Sequence, residues 1–308
     1  MTRQSFVKGA AILTLAGISV RIVGAFFRIV LAMLIGDEGV GLFQMAYPVY
    51  STLLAVSTAG IPIAISKLVS ENLAGGDYRG ACRIFNAALI MLAFSGLLIS
   101  GVLFLGAGFF AGTVAQDQRA YLPLVSIAPA IFFVTVMSAY RGFFQGQQQM
   151  LPTALSQLCE QLGRVVAALL LVVVLYPRGL EYAAAGASFG AVAGAVAGLL
   201  VLLVIWGRQR PAFQKRLKER RSGGGQPVWS IVGDILKLSV PITLGSLVMP
   251  LITIADLSIV PQRLHDAGFD TGRATALYGQ LTGMASPLVH IPTIITVALA
   301  ISLVPAIA

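Results

Sequence analysis

Charge is scarce in this chain, and acid is scarcer than base. Only 11% of its 308 residues are charged, against 57% hydrophobic, and the mean hydropathy is +0.88. Soluble domains carry about 25% charged residues, so the composition excludes one and describes a polytopic membrane protein. Histidine and cysteine occur twice each, and none belongs to a metal-ligand spacing. Cys82 and Cys159 fall at different predicted depths, so no disulfide is expected. H-E-x-x-H, G-x-S-x-G and P-loop signatures are missing, as is any close pair of intramembrane carboxylates that would serve as acid and base. An enzyme is not expected, nor a cofactor. The net charge of +9 comes without a basic-aromatic binding module, and its arginines and lysines gather at the ends of apolar runs. A nucleic-acid partner is not expected; membrane lipid is.

What is abundant is apolar length. Eight runs, 9–35, 41–68, 84–112, 121–140, 151–176, 182–207, 231–260 and 274–308, each approach or exceed the roughly 20 residues a helix needs to cross about 30 Å of hydrocarbon. They are too long for barrel strands and lack sustained alternation, so the fold class is an all-α helical bundle. Internal proline and glycine predict kinks in the second and eighth. Fourteen lysines and arginines fall on one side of the predicted helices and four on the other, which puts the N-terminus in the cytoplasm.

The first run is too long for a cleavable signal peptide and is expected to stay as an anchor. A basic cytoplasmic loop, 208–229, follows six helices (1–207) and precedes two more (230–308), and its "RRSGGGQP" reads as a flexible joint. The chain stops on an apolar run, "ALAISLVPAIA", and so reads as the first part of a longer one.

Against this background "SQLCEQLGRVV" is anomalous. Gln157, Glu160, Gln161 and Arg164 stand at i, i+3, i+4 and i+7, on one face of the fifth helix. A charge facing lipid there costs roughly 2.5–3.5 kcal/mol, so the stripe must look inward. Glu160 and Arg164 have the favourable order for an intrahelical ion pair. The first helix carries its own stripe, Gly17, Arg21, Gly24 and Arg28. Arg28 is near enough to the helix end to snorkel, and reads either as an anchor or as a functional residue. Arg21 is about 18 Å from either end, too deep to reach water, and should line a wet cavity or pair with a carboxylate, for which Glu160 is a candidate. Asp256 reads either as a cation or proton site or as a solvated carboxylate. Lys67 reads as a snorkelling anchor, and Gln280, Thr282, Ser286 and His290 as a polar flank that packs helices.

Arginines inside a bundle suit an anion. Guanidinium binds phosphate in a planar, bidentate way, and a low-dielectric cavity strengthens the attraction. Together with glutamines for hydroxyl groups, the stripe fits a head group carrying phosphate and sugar, and fits an organic cation poorly. A multidrug antiporter and a non-transporting scaffold that uses these groups as interhelical glue are the two rival readings.

The segments "GISVRIVGAFFRIVLAMLIGDEGVGLFQMAYPVY", "STAGIPIAISKLVSEN" and "AYRGFFQGQQQMLPTALSQLCEQLGRV" resemble the stage V sporulation protein B type of polysaccharide-biosynthesis proteins. That group belongs to the multidrug/oligosaccharidyl-lipid/polysaccharide (MOP) exporter superfamily, beside the MurJ-type lipid II flippases, and the resemblance runs along essentially the whole chain. It implies about fourteen helices in two parallel six-helix lobes, a central cavity worked by alternating access, and a monomer in the bacterial cytoplasmic membrane that moves a lipid-linked diphosphate oligosaccharide. It also implies that Arg21, Arg28 and Arg164 face the diphosphate, that Glu160 belongs to an E-x-x-x-R pair, and that Asp256 is a site of Na+ or H+ coupling.

Overall fold

The computed structural model describes residues 6–219 and 227–289, and among them there are helices and no strand. Six helical stretches are long and apolar enough to cross a membrane. The first of these, Ala11–Ala74, absorbs the two apolar runs that hydropathy separates. No loop divides them. Helix α1 (Phe6–Thr58) turns at the single residue Gly36, whose φ of 66° and ψ of −175° are open to glycine and strained for other residues. The Asp37 carboxylate then accepts the Glu38 N–H at 2.9 Å.

A second glycine with positive φ, Gly60 (77°), ends that arm, and α2 (Ile61–Ala74) begins with proline in its first turn. The remaining elements are α3 (Tyr78–Phe109), α4 (Tyr121–Gly146), α5 (Met150–Leu175), α6 (Leu180–Glu219), α7 (Val228–Asp266) and α8 (Thr271–Gly279). A π-helical segment, Gln280–Ala285, continues α8 into the short α9 (Ser286–Val289). The eighth predicted run is described only as far as residue 289, and His290 lies outside the described residues.

Two other boundaries differ from expectation. The basic stretch predicted as a loop from 208 remains helical to Glu219, where Phe213 packs its ring against Tyr78, Phe143 and Trp206. An aromatic anchor thus outweighs the polar composition. Helix α4 runs six residues past the predicted end to Gly146, which makes Arg141 a helical residue and not part of a flanking loop.

Two apolar cores form. One surrounds Leu31, Leu42, Leu124, Ile131 and Tyr278 toward the Gly36 end; the other surrounds Ile65, Phe85, Phe143 and Ile235 toward the opposite end. Large apolar side chains such as Phe94 and Leu105 point outward, as lipid-facing helices require.

A polar clasp ties α8 to the Gly36 end. Arg119 donates to Asp117 at 2.8 Å and to Glu38 at 2.6 Å. Buried Asp117 also accepts the Thr275 hydroxyl at 2.8 Å, and Asp37 accepts Gln280 Nε2 at 2.6 Å. Glycine lets the backbones meet here, because a Cβ at Gly41 would collide with the Thr275 carbonyl.

Candidate functional site

Glycines on α6 place the polar stripe of α5. Gly186, Gly190, Gly194 and Gly198 recur every four residues and form one ridge against α5. A Cβ at Gly194 would strike the Glu160 carbonyl, and one at Gly198 would come within 3.1 Å of the Glu160 Cβ. With the backbone of α5 held this closely against α6, the side chains of Gln157, Glu160, Gln161 and Arg164 line the chambers that α5 forms with α1 and α4. Gly24 gives α1 a similarly close approach, since a Cβ there would lie 3.2 Å from Gln161 Nε2.

The opposed faces line an open cavity of about 270 Å³, whose wall includes Arg21, Arg28, Gln44, Tyr47, Gln161 and Arg164 and contains no carboxylate. A second chamber of about 310 Å³ shares Arg21, Gln161 and Arg164 with it and adds Arg141, Gln157 and Glu160. Across the two, four guanidinium groups face one carboxylate. The surplus positive charge suits an anion.

Glu160 is gripped at both oxygens. Arg164 Nη2 reaches Oε1 at 3.1 Å and Arg141 Nη2 reaches Oε2 at 2.8 Å. Arg141 Nε also donates to Ser156 Oγ at 2.9 Å, and that hydroxyl donates in turn to the Thr153 carbonyl at 2.8 Å. Arg164 Nη1 donates to the Tyr47 hydroxyl at 2.9 Å, and its Nε is buried with no partner among the described residues. Arg164 is therefore largely committed to protein groups.

Arg21 and Arg28 differ from Arg164. Both are exposed on the cavity side of α1, and neither has an ion pair or hydrogen bond among the described residues. The candidate pairing of Arg21 with Glu160 does not form, because Arg141 takes the second carboxylate oxygen. Asp256 is exposed on α7 and lines neither chamber. Lys67 makes a 3.9 Å surface pair with Glu71.

Sequence reasoning missed Arg141, Tyr47 and Gln44. The signal for Arg141 was its place only one residue beyond an apolar run, with Glu160 available. No local signal marks Tyr47 or Gln44. The α6 glycine ridge, by contrast, is visible in "GASFGAVAGAVAG" as a four-residue repeat.

The sequence matches the family described as polysaccharide biosynthesis protein over residues 6–308. It is 36% identical to stage V sporulation protein B of Bacillus subtilis, over 100% of this chain and 59% of that protein. It is 28% identical to the lipid II flippase MurJ of the same organism, over 99% of this chain and 58% of that protein. The chain thus spans less than two thirds of either relative's length. An inward-facing multidrug resistance MATE family transporter of the MOP superfamily has the same fold, with a TM-score of 0.62 at 14% identity over 88% of this chain and 60% of that one. A continuous match from residue 6 to residue 308, on an all-helical membrane-spanning fold of the MOP type, assigns the chain to the polysaccharide biosynthesis protein family.

Proposed function

We propose that this chain supplies the first lobe, and the start of the second, of a flippase. Its cargo is an undecaprenyl-diphosphate-linked oligosaccharide, with the peptidoglycan precursor lipid II as the leading candidate among cell-wall, spore-cortex and other polysaccharide intermediates. It carries this cargo from the inner to the outer leaflet of the bacterial cytoplasmic membrane by alternating access, with its N-terminus in the cytoplasm. It is a transporter and not an enzyme.

The observation that carries the reading is the carboxylate-free cavity between α1 and α5, where Arg21 and Arg28 present uncommitted guanidinium groups. Uncompensated positive charge attracts diphosphate, which guanidinium groups bind in a bidentate way. In this reading Arg21 and Arg28 take the diphosphate first, and Arg164 joins when Glu160 releases it. Gln157 and Gln161 meet sugar hydroxyls. Asp256 is exposed on α7 and away from these chambers, so a role in Na+ or H+ coupling would have to be exercised outside them.

The test is binding of a polyprenyl-diphosphate sugar to the full-length protein in lipid, beside its Arg21→Ala variant and a cationic dye. The flippase reading expects tight binding of the lipid diphosphate and about a tenfold or greater loss in the variant, equivalent to ~1.4 kcal/mol. Preference for the dye, with no effect of Arg21→Ala, would return the protein to the drug-antiporter reading.

A further inference from the structure

The clasp at the Gly36 end continues inward as far as the cationic cavity. Asp37, Gly41 and Gln44 stand at i, i+4 and i+7 on the second arm of α1, and all three meet α8 or the π-helical segment that continues it. Asp37 accepts the Gln280 amide, the Gly41 backbone lies against Thr275 and Gly279, and Gln44 Nε2 donates to the Thr282 carbonyl at 3.1 Å. The row covers about 10 Å of helix. Its outer end is the ion-paired clasp, and its inner end, Gln44, belongs to the cavity wall that also holds Arg21, Arg28 and Pro287.

The local sequence makes the Thr282 carbonyl an acceptor in need of a donor. In the π-helical segment the Ser286 N–H bonds back five residues to the Leu281 carbonyl. The next bond of that series would run from residue 287 to Thr282, but residue 287 is proline and has no N–H to give. The Gln44 amide supplies the missing donor from another helix. Gly283 packs against Val40 and Gln44 so closely that a Cβ there would collide, which leaves little room for water to take the amide's place. A carbonyl left unpaired in such a contact is costly.

We propose that Gln44 couples occupancy of the cationic cavity to opening of the Gly36 end. This inference rests on the flippase reading and adds to it the residue through which the cargo acts on the clasp. The Gln44 amide has two acceptors to choose between: the Thr282 carbonyl, which holds the α8 segment against α1, and a phosphate oxygen of a ligand beside Arg21 and Arg28. The charged oxygen is the stronger acceptor. Once the amide turns to it, Thr282 is orphaned while the helices stay together, and water satisfies it when they part. The ligand thus binds the open form better than the closed one, which is the condition for shifting the equilibrium between them. With the N-terminus in the cytoplasm the Gly36 end is the outer one, so a head group loaded from the cytoplasm loosens the end toward which it moves. The empty site latches again through Thr282. Gln44 is in this sense a positioning residue, acting on the clasp through a backbone carbonyl.

The experiment uses the full-length protein in nanodiscs, with spin labels on Gln118→Cys and Arg273→Cys as its only two cysteines. Both positions are exposed, one on each side of the contact between Asp117 and Thr275. Electron spin resonance reads the fraction of molecules with separated labels, and binding of a polyprenyl diphosphate is measured on the same samples. That ligand is expected to raise the separated fraction about fivefold or more in the labelled parent. Gln44→Met keeps the length of the side chain and removes its donor. It should raise the fraction without ligand and abolish the ligand's effect, while binding weakens only about threefold, because the bond lost to phosphate is partly offset by the bond no longer broken at Thr282. Pro287→Ala returns a backbone N–H to Thr282, so the bound ligand should leave the end closed. A ligand that still raises the separated fraction by the parent's factor in Gln44→Met would make Gln44 a structural staple and overturn the coupling. Full opening by ligand in Pro287→Ala would overturn the role of the orphaned carbonyl, and a parent that binds the lipid diphosphate with its labels still together would overturn both. These results leave the head-group reading standing as long as Arg21→Ala weakens binding. If Arg21→Ala leaves binding unchanged, or the parent does not bind the polyprenyl diphosphate, the flippase reading fails and the coupling falls with it.

Discussion

Arg141 Nη2 stands 2.8 Å from Glu160 Oε2, on the side of the carboxylate that Arg164 leaves free. Both partners of this pair are only 15% exposed. One acid is thus shared by two cations from different helices, and each arginine limits how firmly the other is held.

Removing Arg141 should therefore tighten the hold of Glu160 on Arg164. On the flippase reading, Arg141→Ala is expected to weaken diphosphate binding about threefold to tenfold; it should also lower stability by about 1–3 kcal/mol, less than the ~3–5 of a fully buried pair because water reaches this one. Adding Glu160→Gln should restore the lost affinity, since the competing anion is then gone. A double-mutant cycle on binding measures this, and strictly additive effects would refute the sharing.

The α6 ridge predicts a contrast between two glycines. Gly194→Val places a side chain against the Glu160 carbonyl, and the helices must part or distort. A loss of about 2–4 kcal/mol is expected, together with loss of binding as Glu160 and Arg164 shift. A Cβ added at Gly101 would meet no atom within 4 Å, so Gly101→Ala should be neutral or stabilising by up to about 1 kcal/mol. Thermal unfolding in detergent distinguishes the two.

The clasp at the Gly36 end should be acid-labile. Burial pushes the Asp117 carboxyl up, but hydrogen bonds from Arg119 and Thr275 outweigh it and hold the group below its usual range. A depressed carboxyl stabilises the folded state above the unfolded value of about 3.9, and that contribution is lost as pH falls through the folded value. Asp117→Asn should flatten the acid side of the stability profile, and a profile identical to wild type below about pH 4 would contradict this.

Thr275→Val keeps the shape of that side chain and removes its hydroxyl. It should cost about 1–3 kcal/mol, because Asp117 loses a charged hydrogen bond inside a buried site. On the flippase reading it should favour opening at the Gly36 end, read as faster thiol labelling when combined with Gly272→Cys. Unchanged labelling would show that the clasp does not gate this end.

Gly36 carries the sharp turn in α1. Gly36→Ala meets no neighbouring atom but forces a side chain into a positive-φ conformation, so a cost of about 1–3 kcal/mol is expected without loss of close packing. Thermal stability measures it, and a neutral result would mean that the turn can relax.

The sequence by itself determined that these helices live in lipid and that the polar stripe of α5 faces other helices. Hydrocarbon length sets the first, and the cost of exposing charge at i, i+4 and i+7 to lipid sets the second. It also placed Arg21, Arg28, Gln157, Gln161 and Arg164 on faces that converge on adjoining cavities. Periodicity names a face and never a neighbour. That Glu160 meets Arg141 and not Arg21, and that Tyr47 takes Arg164, were decided only by tertiary packing. Each depends on how closely α4, α5, α6 and the α8 segment approach, and glycine contacts between residues far apart in the chain set that distance.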